Sequence, residues 1–586
     1  MLKGFSVSRG VAIGKAYLLD RSKVCVIKRK IPPEMIKAEI TRFRDAIEMS
    51  KKQMQDIKLR AGEISGRYSI ILDTYTLLLE DEILVNETIE SIEKEGMNAE
   101  WALTMTMEKF TNLFNNINDE YLKSKQDDLD LVVHGVIKNL LGHTQESLAD
   151  IDEPVIIITH ALTPSDTFMI SKKYILGLAM EVGGKTSHVG IFASAHGFPA
   201  VVGIKDLSAH INTGDTVIID AIQGEVVVNP NSDEMDHYRK KQDNYQKYEK
   251  LLLEDIALTS ETQDGQHILL TGNIESADET RSVSKFGGEG IGLFRTEFLY
   301  MNPDGLPTEK DLFREFKKVV QAMEPHPVVI RTLDMGADKQ VFGFSDSHED
   351  NPALGLRGIR LSLIQPGLFK IQLRAILRSA LYGTVKILYP MVSHVEEIIQ
   401  ARTLMDQVKE ELQKNKIPFN ENIDVGAMIE TPAAALCVDH ILAEVDFISI
   451  GTNDLIQYIL AVDRINENVA HLYQPFHPAI LKALHIVIKA AKSADKPLTI
   501  CGEMGGDPLA TILLLGLGLE GELSMEAHSI PKVKKILRKA NLQEARTMAE
   551  KALAMTSTEE INQFINSEMR ARFPSDFDRD MAFGEK

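Results

Sequence analysis

Val425-Gly426-Ala427-Met428-Ile429-Glu430 is a short β-rich apolar run that closes on a carboxylate. Between residues 260 and 586 such runs alternate with helical stretches. Eight can be counted: His267 to Leu270, Ile291 to Phe294, Val328 to Ile330, Val385 to Tyr389, Val425 to Ile429, Phe447 to Ile450, Leu498 to Ile500, and Glu522-Leu523. Eight βα units in this length predict a (β/α)8 TIM barrel, whose active site is built at the C-terminal strand ends. Those positions read Arg295, Arg331 with Asp334, Glu430, Asn453 and Asp454, Cys501 with Glu503, and Ser524. Ion pairing around a barrel rim accounts for an arginine and a glutamate, but not for so many polar strand ends at once.

The residue types indicate the chemistry. Arginines that converge in a cleft bind a doubly charged phosphate or a carboxylate through bidentate forks. Arg295, Arg331, Arg357 and Arg464 are the candidates. Glu430 and Asp454 offer hard oxygen ligands with no histidine or cysteine beside them, which favours magnesium over zinc. The expected ligand is a small acid bearing phosphate and carboxylate. Cys501 lies between Ile500 and Gly502. A thiol with a reference pKa of about 8.5 can donate a proton near neutrality. The plainer alternative for Cys501 is a buried hydrophobe.

Upstream, Gly183-Gly184-Lys185-Thr186-Ser187-His188 follows the apolar run Tyr174 to Ala179 and precedes the helix-like Val189 to Ala195. It reads as strand, glycine turn and helix start, with unpartnered amides that favour an anion beside a nucleophilic imidazole. A helix start with Ser187 as cap and His188 as a surface residue is the alternative. Strand signals at residues 1–30 and 150–230, including the hairpin of Val217 to Asp220 and Glu225 to Asn229, predict one compact α/β domain. Residues 31–149 interrupt it with helical spacing (Ile36, Ile40, Phe43, Ile47), as an inserted helical bundle does. Asp73 to Glu100 carries nine acidic residues and one basic, a solvated face or a docking surface for a basic protein. Residues 231–259 read as a charged helical linker, roughly 40 Å long at about 1.5 Å per residue.

A chain of 586 residues holds several domains, and its net charge of −20 argues against nucleic acid. No apolar run approaches the roughly 20 residues that span a bilayer. The start, Met1-Leu2-Lys3-Gly4-Phe5, has no signal-peptide core. Cys25, Cys437 and Cys501 show no disulfide or zinc spacing, so the cytoplasm is the expected compartment.

Taken in order, these stretches resemble the Enzyme I family of the phosphoenolpyruvate-dependent sugar phosphotransferase system. The resemblance is carried by Gly183 to His188, Gly292-Leu293-Phe294-Arg295-Thr296-Glu297-Phe298-Leu299 and Arg331-Thr332-Leu333-Asp334. It continues through Asn351 to Arg357, Met428 to Ala433, Gly451 to Leu455, Ala461 to Arg464, Cys501 to Met504 and Ser529-Ile530-Pro531. It implies a swivelling phosphohistidine domain in which His188 is phosphorylated through Nε2. It implies that Arg295, Arg331, Arg357, Asn453, Asp454 and Arg464 bind phosphoenolpyruvate, that Glu430 and Asp454 hold Mg2+, and that Cys501 protonates the enolate carbon. It further implies that the helical insert docks the histidine-containing phosphocarrier protein HPr, and that the barrel pairs as a homodimer. The chain begins at the swivelling unit, so the sensory domain of the nitrogen-related branch is not expected.

Three positions depart from the family's pattern. Lys185 stands where arginine is usual, Ala193-Ser194 where Ala-Arg is frequent, and Asp130 where an arginine commonly follows Asp128-Leu129. Two other readings are open at this point. A phosphoenolpyruvate synthase or pyruvate phosphate dikinase shares the histidine turn and barrel but needs a nucleotide-binding domain that residues 1–150 are too short and too helical to supply. A regulatory phosphoenolpyruvate-binding protein that transfers phosphate poorly is the other.

Overall fold

The structure, a computed structural model, describes residues 2–19, 26–60, 79, 82–115, 132–133, 135–142, 151–162, 174–182, 193, 197–300, 305–335, 351–464, 466 and 468–577. His188 and its glycine turn, Lys185, Ser194 and Asp130 lie outside them. Two compact units divide between Gln246 and Lys247.

The first unit is built on an eight-stranded sheet: β1 (Leu2–Lys3), β2 (Phe5–Ser8), β3 (Val11–Leu19), β4 (Val155–Thr159), β5 (Ile175–Met180), β6 (Ala200–Val202), β7 (Thr216–Asp220) and β8 (Glu225–Val228). The spatial order is β1-β8-β7-β3-β4-β5-β6-β2. β4 explains why the sheet is covered on both sides. Its sequence, Val-Ile-Ile-Ile-Thr, is buried throughout. Alternation sends Val155 and Ile157 into one apolar cluster and Ile156 and Ile158 into another. The predicted hairpin is present as β7 and β8, paired antiparallel.

The inserted helices α1 (Ile36–Arg60), α2 (Glu82–Glu95) and α3 (Ala99–Asn115) share a separate core around Phe43, Ile92 and Leu103. Arg42 ties them together. Its guanidinium bonds Glu39 at 2.6 and 3.1 Å, Glu100 at 2.7 and 2.9 Å, and the Leu140 carbonyl at 2.8 Å. The acidic stretch therefore splits. Glu90, Glu93 and Glu95 are exposed, whereas Glu100 is buried as a structural partner.

Helix α4 (Ser232–Glu254) forms where the linker was expected, and the division between the two units falls inside it. Within the first unit, Lys241 of α4 makes an ion pair with Asp220, and both side chains are buried. Asp220 also accepts the amides of Ile222 and Gln223 that form the β7–β8 turn, at 3.1 and 3.3 Å.

The second unit is a closed barrel of β9 (Leu269–Ile274), β10 (Ile291–Phe294), β11 (Val328–Arg331), β12 (Val385–Tyr389), β13 (Asp424–Ile429), β14 (Phe447–Gly451), β15 (Leu498–Cys501) and β16 (Glu522–Met525). Every neighbouring pair is parallel. The (β/α)8 expectation is met, with one correction: the first strand starts at Leu269 and runs to Ile274, past the expected His267 to Leu270. Polar Thr271 and Asn273 hide this strand in the sequence because they face polar partners, the half-buried Glu522 and the buried Ser524 respectively. Leu293, Val329, Leu388, Met428, Phe447 and Cys501 form a buried apolar cluster apart from the outer helical shell.

The last stretch also corrects an expectation. Beyond Ala571 the sequence reads as a mobile tail. Pro574–Phe577 is instead helical, and Asp576 accepts from Tyr248 Oη at 2.6 Å and Lys535 Nζ at 2.8 Å. Residues 578–586 lie outside the described residues.

Replacing Lys241 with Met strands the buried Asp220 carboxylate. Urea unfolding is expected to show a loss of about 3–5 kcal/mol for the sheet-bearing unit, much of it recovered when Asp220→Asn is added.

Candidate active site

The polar strand ends meet at the C-terminal mouth of the barrel. Glu430 directly follows β13. β14 ends at Gly451, and the next helix, Thr452–Leu460, starts without a loop, placing Asn453 and Asp454 in its first turn. The positive end of that helix suits the Asp454 carboxylate. Two glycines make the packing possible. A side chain at Gly451 would lie 2.6 Å from Glu430 Oε2, and one at Gly502 would lie 2.5 Å from Thr452 Oγ1 and 2.8 Å from Asn453 Oδ1. Asn453 Oδ1 in turn accepts the Glu503 amide at 2.9 Å, locking the turn after β15.

Asp334, Glu430 and Asp454 each bring a carboxylate oxygen within 4.8 Å of the other two. The sequence placed Glu430 and Asp454 together. The sequence marks Asp334 only as a polar strand end, and the structure adds it as the third member. Its sequence signal is only its place three residues beyond Arg331, the last residue of β11. Asp334 is held there by its amide, which donates to Glu297 Oε1 at 3.0 Å. Glu297, which was not singled out, also takes Arg331 Nη2 at 3.0 Å.

Arg331 and Arg357 supply the opposing charge. Arg331 Nη1 lies 3.2 Å from Asp334 Oδ2. Arg357 forks onto Asp334 at 3.1 and 2.9 Å, reaches Asp454 Oδ2 at 3.1 Å and bonds Tyr458 Oη at 3.1 Å. Burial disfavours both guanidinium charges, but the surrounding carboxylates outweigh it and hold both pKa values above the ordinary arginine range. Among the described residues, the buried Nε of Arg331 has no hydrogen-bond partner. A donor left so is what an anionic ligand oxygen would satisfy.

The remaining predicted residues are placed more loosely. Arg295 pairs with Glu275 at 3.3 Å, and Arg464 lies 3.8 Å from Glu503. Neither touches the three carboxylates. Cys501 ends β15 and is 1% exposed. Its thiol donates to the Ile450 carbonyl and accepts from Ser449 Oγ, both at 3.3 Å. Burial pushes its pKa up to about 11, so it is a neutral proton carrier through the physiological range.

Glu430 has the opposite environment from a structural ion pair. Burial first, then the charges of Asp454 and Asp334, push its pKa up to about 8, against a smaller lowering by Arg331. Its Oε1 accepts the Met391 amide at 2.6 Å, and Met391 holds a left-handed φ of 57° to deliver it. Among the described residues, three hard oxygen donors gather with no nitrogen or sulfur ligand, a set that fits a divalent cation of the magnesium or manganese type.

Comparison with known proteins finds related enzymes along nearly the whole chain. Residues 250–542 match the family model of the PEP-utilising enzyme, PEP-binding domain. Residues 3–125 match the N-terminal model and residues 151–224 the mobile-domain model of the same enzymes. The phosphoenolpyruvate-protein phosphotransferase of Bacillus subtilis (strain 168) is 41% identical over 567 residues, covering 96% of this chain and 99% of its own. That of Priestia megaterium is 40% identical over 567 residues, covering 97% and 98%. The chain belongs to the phosphoenolpyruvate-protein phosphotransferase family. It is therefore an enzyme. A solution structure of an Enzyme I protein is 36% identical, covers 42% of this chain and 100% of that chain, and has a TM-score of 0.38. The mobile-domain match contains His188, outside the described residues.

Because Glu430 is held protonated and must ionise to ligate, metal binding at about pH 7 is expected to release nearly one proton. Apparent affinity should rise with pH and level off above about 8, where the carboxyl is already ionised. Calorimetry in buffers of different ionisation enthalpy measures the release. Glu430→Gln should show none at that site.

Proposed function

We propose that the chain transfers the phosphoryl group of phosphoenolpyruvate to His188 and then to a histidine of the phosphocarrier HPr, releasing pyruvate as the first step of the sugar phosphotransferase system. The observation that carries this reading is the meeting of Arg331 and Arg357 with Asp334, Glu430 and Asp454 at the barrel mouth. Two guanidiniums bind a phosphate dianion and a carboxylate, the two anionic groups of phosphoenolpyruvate. Arg295, Asn453 and Arg464 complete the substrate contacts in this reading.

The reaction is a phosphoryl transfer. The His188 imidazole nitrogen forms a bond to phosphorus as the bond to the enol oxygen breaks. The arginines hold the phosphate oxygens in place and offset their charge. Glu430 and Asp454, with Asp334, would hold Mg2+. When bound, it supplies positive charge to the phosphate and enolate oxygens. The enolate electron pair then takes a proton at C3. Cys501 is the donor in this reading because its thiol is neutral and buried at a strand end of the mouth.

The exposed Glu90, Glu93 and Glu95 of α2 favour a docking partner with a basic face, which fits the carrier's place on the helical insert. No described helix is long and apolar enough to cross a membrane. A cytoplasmic homodimer formed through the barrel completes the proposal.

Phosphoenolpyruvate and magnesium should place one acid-labile, base-stable phosphoryl group on His188. His188→Ala should abolish labelling while phosphoenolpyruvate still binds. Label that persists in this variant would reject the assignment. Cys501→Ala should keep substrate affinity but lose turnover by about 10²- to 10⁴-fold, the usual cost of a missing general acid. In deuterated water it should also lose the one-sided delivery of deuterium to C3. Near-normal, face-selective turnover would assign the proton to another donor.

A further inference from the structure

The carboxylate oxygens that would ligate a metal already face a cation. Arg357 Nη2 donates to Asp334 Oδ2 at 2.9 Å and to Asp454 Oδ2 at 3.1 Å, while Nε donates to Asp334 Oδ1 at 3.1 Å. One guanidinium thus bridges two of the three candidate ligands. Arg331, by contrast, reaches only Asp334 among the three through an ion pair, at 3.2 Å, and spends its other arm on Glu297. Glu430 accepts a backbone amide from Met391 and lies outside the Arg357 bridge.

Arg357 is steadied for this position from its far side. Nη1 bonds Tyr458 Oη at 3.1 Å, and the same hydroxyl donates to the Ala353 carbonyl. Tyr458 stands one helical turn after Asp454 in Thr452–Leu460, so one short helix supplies both a carboxylate and the brace. The bridge is only partly sealed: the Arg357 side chain is 16% exposed, and the fork that fits a carboxylate fits a phosphate equally well.

We infer that Arg357 is a resident counter-cation that competes with the divalent metal for Asp334 and Asp454, and that a ligand phosphate relieves the competition by drawing the guanidinium onto itself. The inference rests on the reading of Asp334, Glu430 and Asp454 as the metal site. It makes metal and substrate binding mutually reinforcing, since any coupling free energy between two ligands acts equally in both directions. It also gives Arg357 a task beyond substrate contact: without metal, it keeps close carboxylates from repelling one another.

The test uses the full chain without phosphoenolpyruvate and reads Mn2+ affinity by electron paramagnetic resonance. Arg357→Ala removes the competitor and its three charge-assisted hydrogen bonds to the aspartates, so Mn2+ should bind about tenfold tighter or more. Arg357→Lys, which keeps the charge but not the fork, should fall between the two. Arg464→Ala removes an equal charge that touches none of the carboxylates, and should change affinity far less. Phosphoenolpyruvate should tighten Mn2+ more in the wild type than in Arg357→Ala. Unchanged or weaker Mn2+ binding in both Arg357 variants overturns the inference. Equal tightening in Arg464→Ala overturns it too, since a general field would then suffice. Failure of the metal-site reading itself looks different: Asp454→Asn and Glu430→Gln would both bind Mn2+ as the wild type does.

Discussion

Three carboxylates held within 4.8 Å of one another at the largely buried end of a barrel set the terms for the rest of the site. Charges taken out of water are costly unless they are paired, protonated or bound to metal. The chain uses the first two. Arg331 and Arg357 neutralise Asp334 and Asp454, and Glu430 keeps its proton because burial and its two neighbours disfavour a third negative charge. The glycines at 451 and 502, the left-handed Met391 and the buried Glu297 follow from this arrangement. Each makes room for one of these polar groups or supplies the hydrogen bond that fixes its position.

The same burial divides the chemistry between charged and neutral groups. The arginines stay ionised because carboxylates surround them. Cys501 packs with Leu293, Val329, Leu388, Met428 and Phe447, so its thiol stays neutral. A permanently charged residue can bind a phosphate but has no proton to spare near neutrality; a thiol can give up a proton and carries no charge to repel the substrate. Apolar packing below the mouth and charge at the mouth thus serve one reaction.

The barrel was legible because parallel strands buried on both faces leave continuous apolar runs, and seven of the eight were found close to their true bounds. The exception, β9, carries polar residues inward, where only Glu522 and Ser524 make them acceptable. Glu430 and Asp454 were legible because each lies within a few residues of a strand end. Asp334 was visible but its role was not, since a residue three beyond a strand can return to the mouth or leave it, and the sequence does not say which. Glu100 was submerged in an acidic stretch, and only the fold brings Arg42 to it from 58 residues away. Asp576 could not be read from sequence because its partners, Tyr248 and Lys535, are both remote.

Ion networks recur in this chain, and their internal balance separates the structural ones from the reactive one. Arg42 spends its guanidinium on Glu39, Glu100 and a carbonyl. Although burial pushes the Glu100 carboxyl upward, Arg42 and Asn98 hold it below the ordinary range. That network has its charges where they are most stable and nothing to gain from a ligand. Lys241 and Asp220 are likewise matched one to one, with the second Asp220 oxygen occupied by turn amides. The barrel mouth is not settled in this way. Among the described residues Arg331 keeps a buried donor without an acceptor, burial and two neighbouring carboxylates disfavour the charge on Glu430, and one guanidinium serves two aspartates. A phosphate would satisfy the donor, and a divalent cation would relieve the carboxylates. The mouth thus differs from the two structural networks in having polar groups that a ligand could still stabilise.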